Sequence, residues 1–208
     1  MVIAIIVTVS AYDSAPLQDF CVADINSNVR VNGFVCKHAA NVTGSDFSST
    51  ILRQPGNASA SSLGYVTTRA YVANFPGLNT LGISAARSDF TPGGVNPPHV
   101  HPRASELIYV VEGTLFVGFI SSDEKLYSAT LYPGDLFIFP QGLIHFQMNV
   151  GTISAVGIVS FSSQNPGTSR IPKALFAAHP AIDDAILARS FGVDASEIQH
   201  LKQVIASS

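Results

Sequence analysis

The feature that most constrains this fold is a succession of short apolar runs between about residues 63 and 161, each bounded by turn residues. Valine, isoleucine, phenylalanine and tyrosine dominate the runs, which is typical of β-strands joined by tight turns. The predicted strands are 64–73, 82–90, 105–120, 126–132, 136–139, 144–149 and 154–161. Many short strands at near-regular spacing favour a closed antiparallel barrel or jelly roll, because closure removes exposed sheet edges.

The chain on either side of these runs has a different character. Residues 12–62 mix short apolar stretches with Asn, Ser and Gly, and predict an irregular N-terminal arm. Residues 171–208 carry alanines, charges and the apolar spacing of helices, with Asp194 and Ser196 as helix-start signals. We therefore predict one all-β domain over residues 63–170, preceded by the arm and followed by a C-terminal helical extension.

The first eleven residues, MVIAIIVTVSA, are almost wholly apolar. A bilayer span needs about 20 apolar residues, so this segment predicts a signal peptide over residues 1–11, cleaved near Ser10 and Ala11. The positively charged leading region is missing, which suggests a shortened signal; the alternative is a buried N-terminal strand. No later segment is long and apolar enough to predict a membrane span.

Other features also indicate a secreted protein. The two cysteines, Cys21 and Cys36, predict one disulfide in an extracellular chain. Two glycosylation sequons begin at Asn41 and Asn57, both in polar surroundings rich in turn residues. The net charge of −3 gives no basic surface for a nucleic acid.

Four side chains could form a metal site. His99 and His101 are two residues apart, so in an extended chain both imidazoles point to one face. Glu106 lies five residues after His101, so in a straight extended chain its side chain would point to the opposite face; a bend between residues 102 and 105 is therefore required. His145 lies in a later predicted strand. Three imidazoles and one carboxylate suit Mn or Fe better than a closed structural zinc site. Taken alone, the His-x-His pair could also be two surface or packing histidines.

The residues around these ligands carry a family resemblance. The fixed positions are Gly93, His99, His101, Glu106 and Gly113 in one segment, and Gly134, Pro140, Gly142, His145 and Asn149 in another. The two segments, residues 93–113 and 134–149, resemble the first and second motifs of the cupin superfamily. The resemblance implies a cupin jelly-roll β-barrel.

A narrower resemblance, to plant germins and germin-like proteins, rests on four further segments. They read QDFCVAD at 18–24, FPGLNTLG at 75–82, NPPHVHPRA at 96–104 and FSSQNPG at 161–167. This resemblance implies Mn²⁺ held by the three histidines and the glutamate, and secretion to the apoplast or cell wall. It also implies a homohexamer built as a trimer of dimers, in which the C-terminal helices clasp a neighbouring subunit.

The resemblance leaves the activity open between several functions. Superoxide dismutation is reported for many germin-like members, and the four ligands would then be catalytic as well as structural. Oxalate oxidation is less favoured, because oxalate-degrading members hold substrate with two asparagines; Asn96 matches one of these, but Ala86 stands at the other. The non-enzymatic alternative is a binding protein that grips a small carboxylate, a receptor or a storage protein.

Overall fold

The computed structural model describes residues 18–29, 31 and 33–206, so the predicted signal peptide lies outside the described residues. The strands are β1 (Tyr65–Ala70), β2 (Ser84–Phe90), β3 (Val95–Val100), β4 (Glu106–Glu112), β5 (Leu115–Ile120), β6 (Leu126–Leu131), β7 (Leu136–Phe139), β8 (Ile144–Asn149), β9 (Ala155–Phe161) and β10 (Ser169–Arg170). The α-helices are α1 (Ile171–Phe176), α2 (Asp184–Phe191) and α3 (Ala195–Ala206). Short 3₁₀ turns occupy Ala39–Asn41, Gly44–Phe47, Ala58–Ala60 and Pro76–Leu78.

The strands form two five-stranded antiparallel sheets. Their orders are β1-β2-β9-β4-β7 and β10-β3-β8-β5-β6. Apolar side chains from both sheets pack into one core, which includes Ile108 and Val110 of β4 and Leu115 and Val117 of β5, all fully buried. The predicted fold, an all-β jelly roll with a C-terminal helical segment, is confirmed.

Alternation along β4 decides which of its side chains point into the barrel. Glu106, Ile108 and Val110 are buried, whereas the residues between them are exposed. Since successive side chains of a strand point to opposite faces, Glu106 shares the inner face with the hydrophobic core. The first residue of β4 therefore delivers a carboxylate into the interior.

The predicted strand over residues 105–120 is two strands. Gly113 separates β4 from β5 with a φ of +79°, a backbone conformation that glycine adopts without steric cost. A Cβ at this position would lie 2.5 Å from the Cβ of Ala155, so a side chain does not fit. The chain therefore turns at Gly113, and β5 joins the opposite sheet.

Strand β3 was absent from the predicted strands because Pro97 and Pro98 interrupt its pattern. Prolines are tolerated at sheet edges and bulges, where no backbone donor is needed. The β3–β8 register shifts between Asn96 and His99, and β10 pairs only with the last two residues of β3. The prolines thus lie at a bulge on an edge left open by the short β10.

The N-terminal arm is fastened to the barrel. The disulfide joins Cys21 to Cys36, as predicted, and Ala23 donates a backbone hydrogen bond to the carbonyl oxygen of Pro76. The side chain of Asn79 is fully buried and donates to the carbonyl oxygen of Phe34. The disulfide therefore closes the arm on itself, and the two hydrogen bonds hold it against the segment between β1 and β2.

The C-terminal helices form a small cluster at one side of the barrel. α1 continues directly from β10 and contacts β3 and α3. The carboxylate of Asp183 caps α2, whose C-terminus is closed by Gly192 at a φ of +69°. Among the described residues, no helix has both the length and the apolar character to cross a membrane.

We expect the double substitution Cys21→Ser/Cys36→Ser to lower the free energy of unfolding. The disulfide closes a loop with a sequence separation of 15, and loss of such a constraint costs about 3 kcal/mol because the unfolded chain gains freedom. Chemical denaturation of the parent and the variant measures the difference. Reducing agent should destabilise the parent by a similar amount and leave the variant unaffected. Equal stability of parent and variant would contradict the structural role of this bond.

Candidate metal centre

Three separate elements bring the four predicted ligands together. His99 lies in β3 directly opposite His145 in β8, and His101 follows one residue after β3 ends. Glu106 enters from β4 in the other sheet. All four residues are 4% exposed or less, and their ligand atoms lie within 4.8 Å of one another. The site therefore spans the two sheets inside the barrel.

The bend predicted before Glu106 is present. Residues 102 and 103 form a turn, and the backbone amide of Arg103 donates to the carbonyl oxygen of Pro166. The guanidinium of Arg103 donates to the carbonyl oxygen of Asn165, 2.8 Å away. The turn is thus held against the loop after β9. This contact fixes the position of His101 and the point at which β4 begins.

Each imidazole uses its Nδ1 atom to bond a backbone carbonyl. The partner of His99 is the oxygen of Pro97 at 2.8 Å, and that of His145 is the oxygen of Leu143 at 2.9 Å. For His101 the partner is the oxygen of Gly167 at 2.5 Å. A carbonyl oxygen can only accept, so Nδ1 carries the proton and Nε2 presents a lone pair.

The Nε2 atoms converge on the carboxylate. Oε2 of Glu106 lies 2.8 Å from Nε2 of His101 and 3.3 Å from Nε2 of His145. With the protons on Nδ1, these are all electron-pair donors, and a cation between them relieves their mutual repulsion. The donor set therefore fits a divalent metal ion, and His99, His101, Glu106 and His145 would hold it.

Burial and neighbouring charges favour the protonation states that bind metal. Burial, with a further contribution from His145, lowers the pKa of His99 to about 3, so its imidazole is neutral at physiological pH. Burial alone would raise the pKa of Glu106, but the adjacent imidazoles of His101 and His145 outweigh it and lower that pKa to about 2. The carboxylate is therefore ionised.

Gln147 and Asn96 extend the site beyond the four ligands. The amide nitrogen of Gln147 donates to Oε1 of Glu106 at 3.1 Å, and its oxygen accepts from the amide nitrogen of Asn96 at 2.5 Å. Gln147 is 2% exposed. Gln147 was not among the predicted site residues, although it lies two residues after His145 in β8 and so shares the inner face.

Aromatic rings close the apolar side of the site. Phe139 stacks on His145 with ring centres 4.6 Å apart, and Phe161 meets the ring of His101 edge-on at 4.8 Å. Both phenylalanines pair with Glu106 across the sheet, Phe139 from β7 and Phe161 from β9. They surround the imidazoles with apolar surface and keep water from their outer faces.

A narrow cavity of about 20 Å³ adjoins the ligands. Asn96 lines it, as expected for a residue beside a substrate, and Ala86 presents a methyl group at the position where the resemblance expects asparagine. The hydroxyl groups of Thr67 and Ser88 also line the cavity. A space of this size accommodates about one or two water molecules.

The other predicted sites lie away from this centre. Asn41 and Asn57 are both exposed in the N-terminal region, at or beside short 3₁₀ turns. The hydroxyl of Ser59 donates to the side-chain oxygen of Asn57 at 2.8 Å, within the predicted sequon. Both asparagines are sterically available, and their glycosylation stays a prediction.

Comparison with known proteins places the chain in a family. Residues 50–199 match the sequence profile of the Cupin family. Nectarin-1 of Nicotiana langsdorffii x Nicotiana sanderae is 50% identical over 94% of this chain and 84% of its own length. Germin-like protein subfamily 2 member 1 of Arabidopsis thaliana is 48% identical over 93% and 88%. The rhicadhesin receptor of Pisum sativum is 49% identical over 91% and 87%.

A solved structure shares both fold and sequence with the chain. Recombinant oxalate oxidase in complex with glycolate superimposes with a TM-score of 0.90 at 44% identity, covering 94% of this chain and 98% of that one. The likeness therefore extends over almost the whole chain.

We expect Glu106→Gln to reduce metal affinity at least tenfold, because it removes the only negative charge among the four ligands. The measurement is metal content after dialysis against a competing chelator. Glu112→Gln is the matched control, since Glu112 ends the same strand and is exposed. Equal metal retention in Glu106→Gln and the control would refute the assignment of Glu106.

We expect Gln147→Leu to weaken metal binding by about 10- to 100-fold, because the variant no longer orients the carboxylate of Glu106. It also leaves the amide of Asn96 without its acceptor. Chelator competition on folded protein gives the affinity, and Gln54→Leu in an exposed loop serves as the control. An affinity equal to that of the parent would show that Glu106 needs no such support.

Proposed function

The chain is a germin-like member of the cupin family, and from that premise we propose that it is a secreted manganese protein that dismutates superoxide. The observation that carries the proposal is the convergence of three Nε2 lone pairs and one carboxylate beside a cavity for a very small ligand. In the reaction, two superoxide ions and two protons give dioxygen and hydrogen peroxide.

Manganese is the metal we propose for this donor set. Three imidazole nitrogens and one carboxylate oxygen suit a borderline-hard ion, and the four ligands would leave coordination positions open for a small ligand. A thiolate ligand is not available, because the only two cysteines are joined to each other. When bound, manganese would supply one-electron redox chemistry by cycling between two oxidation states.

The residues of the chain have distinct tasks in this proposal. The four ligands hold the ion, and Gln147 keeps the carboxylate of Glu106 in place. Phe139 and Phe161 exclude water from the apolar side. Thr67 and Ser88 line the cavity with hydroxyl-bearing side chains.

Oxalate oxidation is disfavoured by the same cavity. Ala86 cannot donate a hydrogen bond, and the amide nitrogen of Asn96 is already directed to Gln147. One lost hydrogen bond to a charged ligand costs about 1.5–3 kcal/mol.

We propose further that the chain acts outside the cell as a homohexamer, a trimer of dimers. The disulfide and the exposed sequons at Asn41 and Asn57 suit the apoplast or cell wall. Apolar side chains on the outer face of one sheet are exposed and offer a surface for a second copy; they are Leu107, Tyr109, Val111, Leu136 and Ile138. Phe191, Leu201 and Val204 of the helices offer another.

A second candidate is a metal-dependent binding or receptor function without catalysis. It is supported by the similarity to a pea protein named rhicadhesin receptor. In that case the metal would coordinate a small carboxylate ligand. A purely storage-type role is less favoured, because it would not require the complete four-ligand set.

We expect the manganese-loaded protein to accelerate superoxide decay, and His101→Ala to abolish the acceleration by removing one ligand. The assay contains a chelator, so that free manganese does not contribute. His200→Ala is the matched control, because His200 is exposed in α3 far from the ligands in sequence. A fully loaded parent without activity would reject dismutation and leave the binding function.

We expect no hydrogen peroxide from oxalate with the same preparation, since Ala86 lines the site where a second amide donor would be needed. A peroxide-coupled assay at millimolar oxalate tests this. Sustained turnover that is lost in His101→Ala would overturn the preference for superoxide over oxalate.

A further inference from the structure

Two arginines outside the ligand set line the metal cavity. In β1, Arg69 lies opposite Ala86 of β2, and in β10, Arg170 lies opposite His99 of β3. Residues directly opposite in an antiparallel pair project to the same face of the sheet. Since Ala86 and His99 both line the cavity, Arg69 and Arg170 line it as well.

Neither guanidinium has a carboxylate partner. Within the part of the chain that the structure describes, the only arginine–carboxylate pair joins Arg87 to Asp89. Glu106 is the only acidic residue that lines the cavity, and both of its oxygens are engaged by His101, His145 and Gln147. Arg69 lies near the hydroxyl of Tyr71, which is neutral because burial raises its pKa to about 12.

The two arginines also lie where the cavity opens. Arg69 is exposed and Arg170 half-buried, so both border solvent as well as the cavity. Arg103, a third arginine in this region, is committed to the carbonyl oxygen of Asn165. The positive charge at the opening is therefore specific to Arg69 and Arg170.

This arrangement has an electrostatic consequence. The chain as a whole carries a net charge of −3, yet this cavity holds two cationic side chains and one carboxylate, before any metal ion adds to the positive charge. A charged cleft with apolar walls concentrates the electric field and raises the association rate of the opposite charge by about 10- to 1,000-fold. The walls here include Val159 and Phe161.

Building on the proposed function, we infer that Arg69 and Arg170 form an anion entry that draws small monoanions such as superoxide to the metal centre. The narrow cavity selects ligands by size, and the guanidinium groups select them by charge. Neither arginine belongs to the ligand set, so the metal content of the protein does not depend on them.

The test follows the approach of ¹³C-formate to Mn²⁺ in the loaded protein by the broadening of its NMR line. ¹³C-methanol is the neutral probe. The variants are Arg69→Gln, Arg170→Gln and the double substitution; Arg69→Lys/Arg170→Lys retains the charge, and Arg53→Gln removes an exposed arginine that does not line the cavity. Manganese content is measured for each.

We expect the double Gln variant to lose about tenfold of the formate broadening at low ionic strength, with a smaller loss in each single variant. The Lys variant and Arg53→Gln should resemble the parent, and methanol broadening should not change in any variant. Near 1 M salt, where the screening length is about 3 Å, the parent and the double Gln variant should converge. Formate broadening in the double variant equal to that of the parent at full manganese content would overturn the anion entry.

Superoxide kinetics on the same variants separate this inference from the proposed function. If the kcat/KM of dismutation falls with salt in the parent but not in the double Gln variant, both the dismutase function and the anion entry are supported. A parent without dismutase activity, but with formate broadening that depends on the arginines, retains the anion entry and rejects the proposed reaction. Dismutation with the same salt dependence in the parent and the double Gln variant rejects the entry alone.

Discussion

The metal centre depends on three hydrogen bonds between histidine Nδ1 atoms and backbone carbonyl oxygens. The carbonyls of Pro97, Leu143 and Gly167 accept these bonds at 2.5–2.9 Å. Because each proton is committed to a carbonyl, the Nε2 lone pairs of His101 and His145 face the ionised carboxylate of Glu106, and His99 completes the group of ligands. A bound cation would offset the repulsion among these buried electron-pair donors. The fold therefore creates a metal site by holding the donors in place.

The barrel supplies these carbonyls from three distant segments. Pro97 lies at the bulge in β3, Leu143 directly before β8 and Gly167 in the loop after β9. The pairing of β3 with β8 fixes the first two, and Arg103 holds the loop that contains the third. The jelly roll thus acts as a rigid frame that orients the imidazoles before any metal binds, so little reorganisation opposes binding.

Sequence patterns predicted the part of the site that follows from local periodicity. The spacing of His99 and His101, and the turn before Glu106, indicated convergence, and the family motifs supplied His145. Local patterns did not reveal Arg69 or Arg170, because their roles depend on which strands lie side by side. Alternation along β8 puts Gln147 on the same face as His145, but its contact with Glu106 depends on how the two sheets pack. Two prolines concealed β3 for the same reason: only the bulge and the short β10 make them acceptable there.

The most direct test of the preorganised centre is an anomalous-scattering experiment on crystals of the manganese-loaded protein, with data on both sides of the manganese absorption edge. We expect one anomalous peak per chain, within bonding distance of Nε2 of His99, His101 and His145 and of the carboxylate of Glu106. A peak elsewhere, or an imidazole that turns Nδ1 toward the metal, would contradict the claim that the backbone carbonyls fix the ligands.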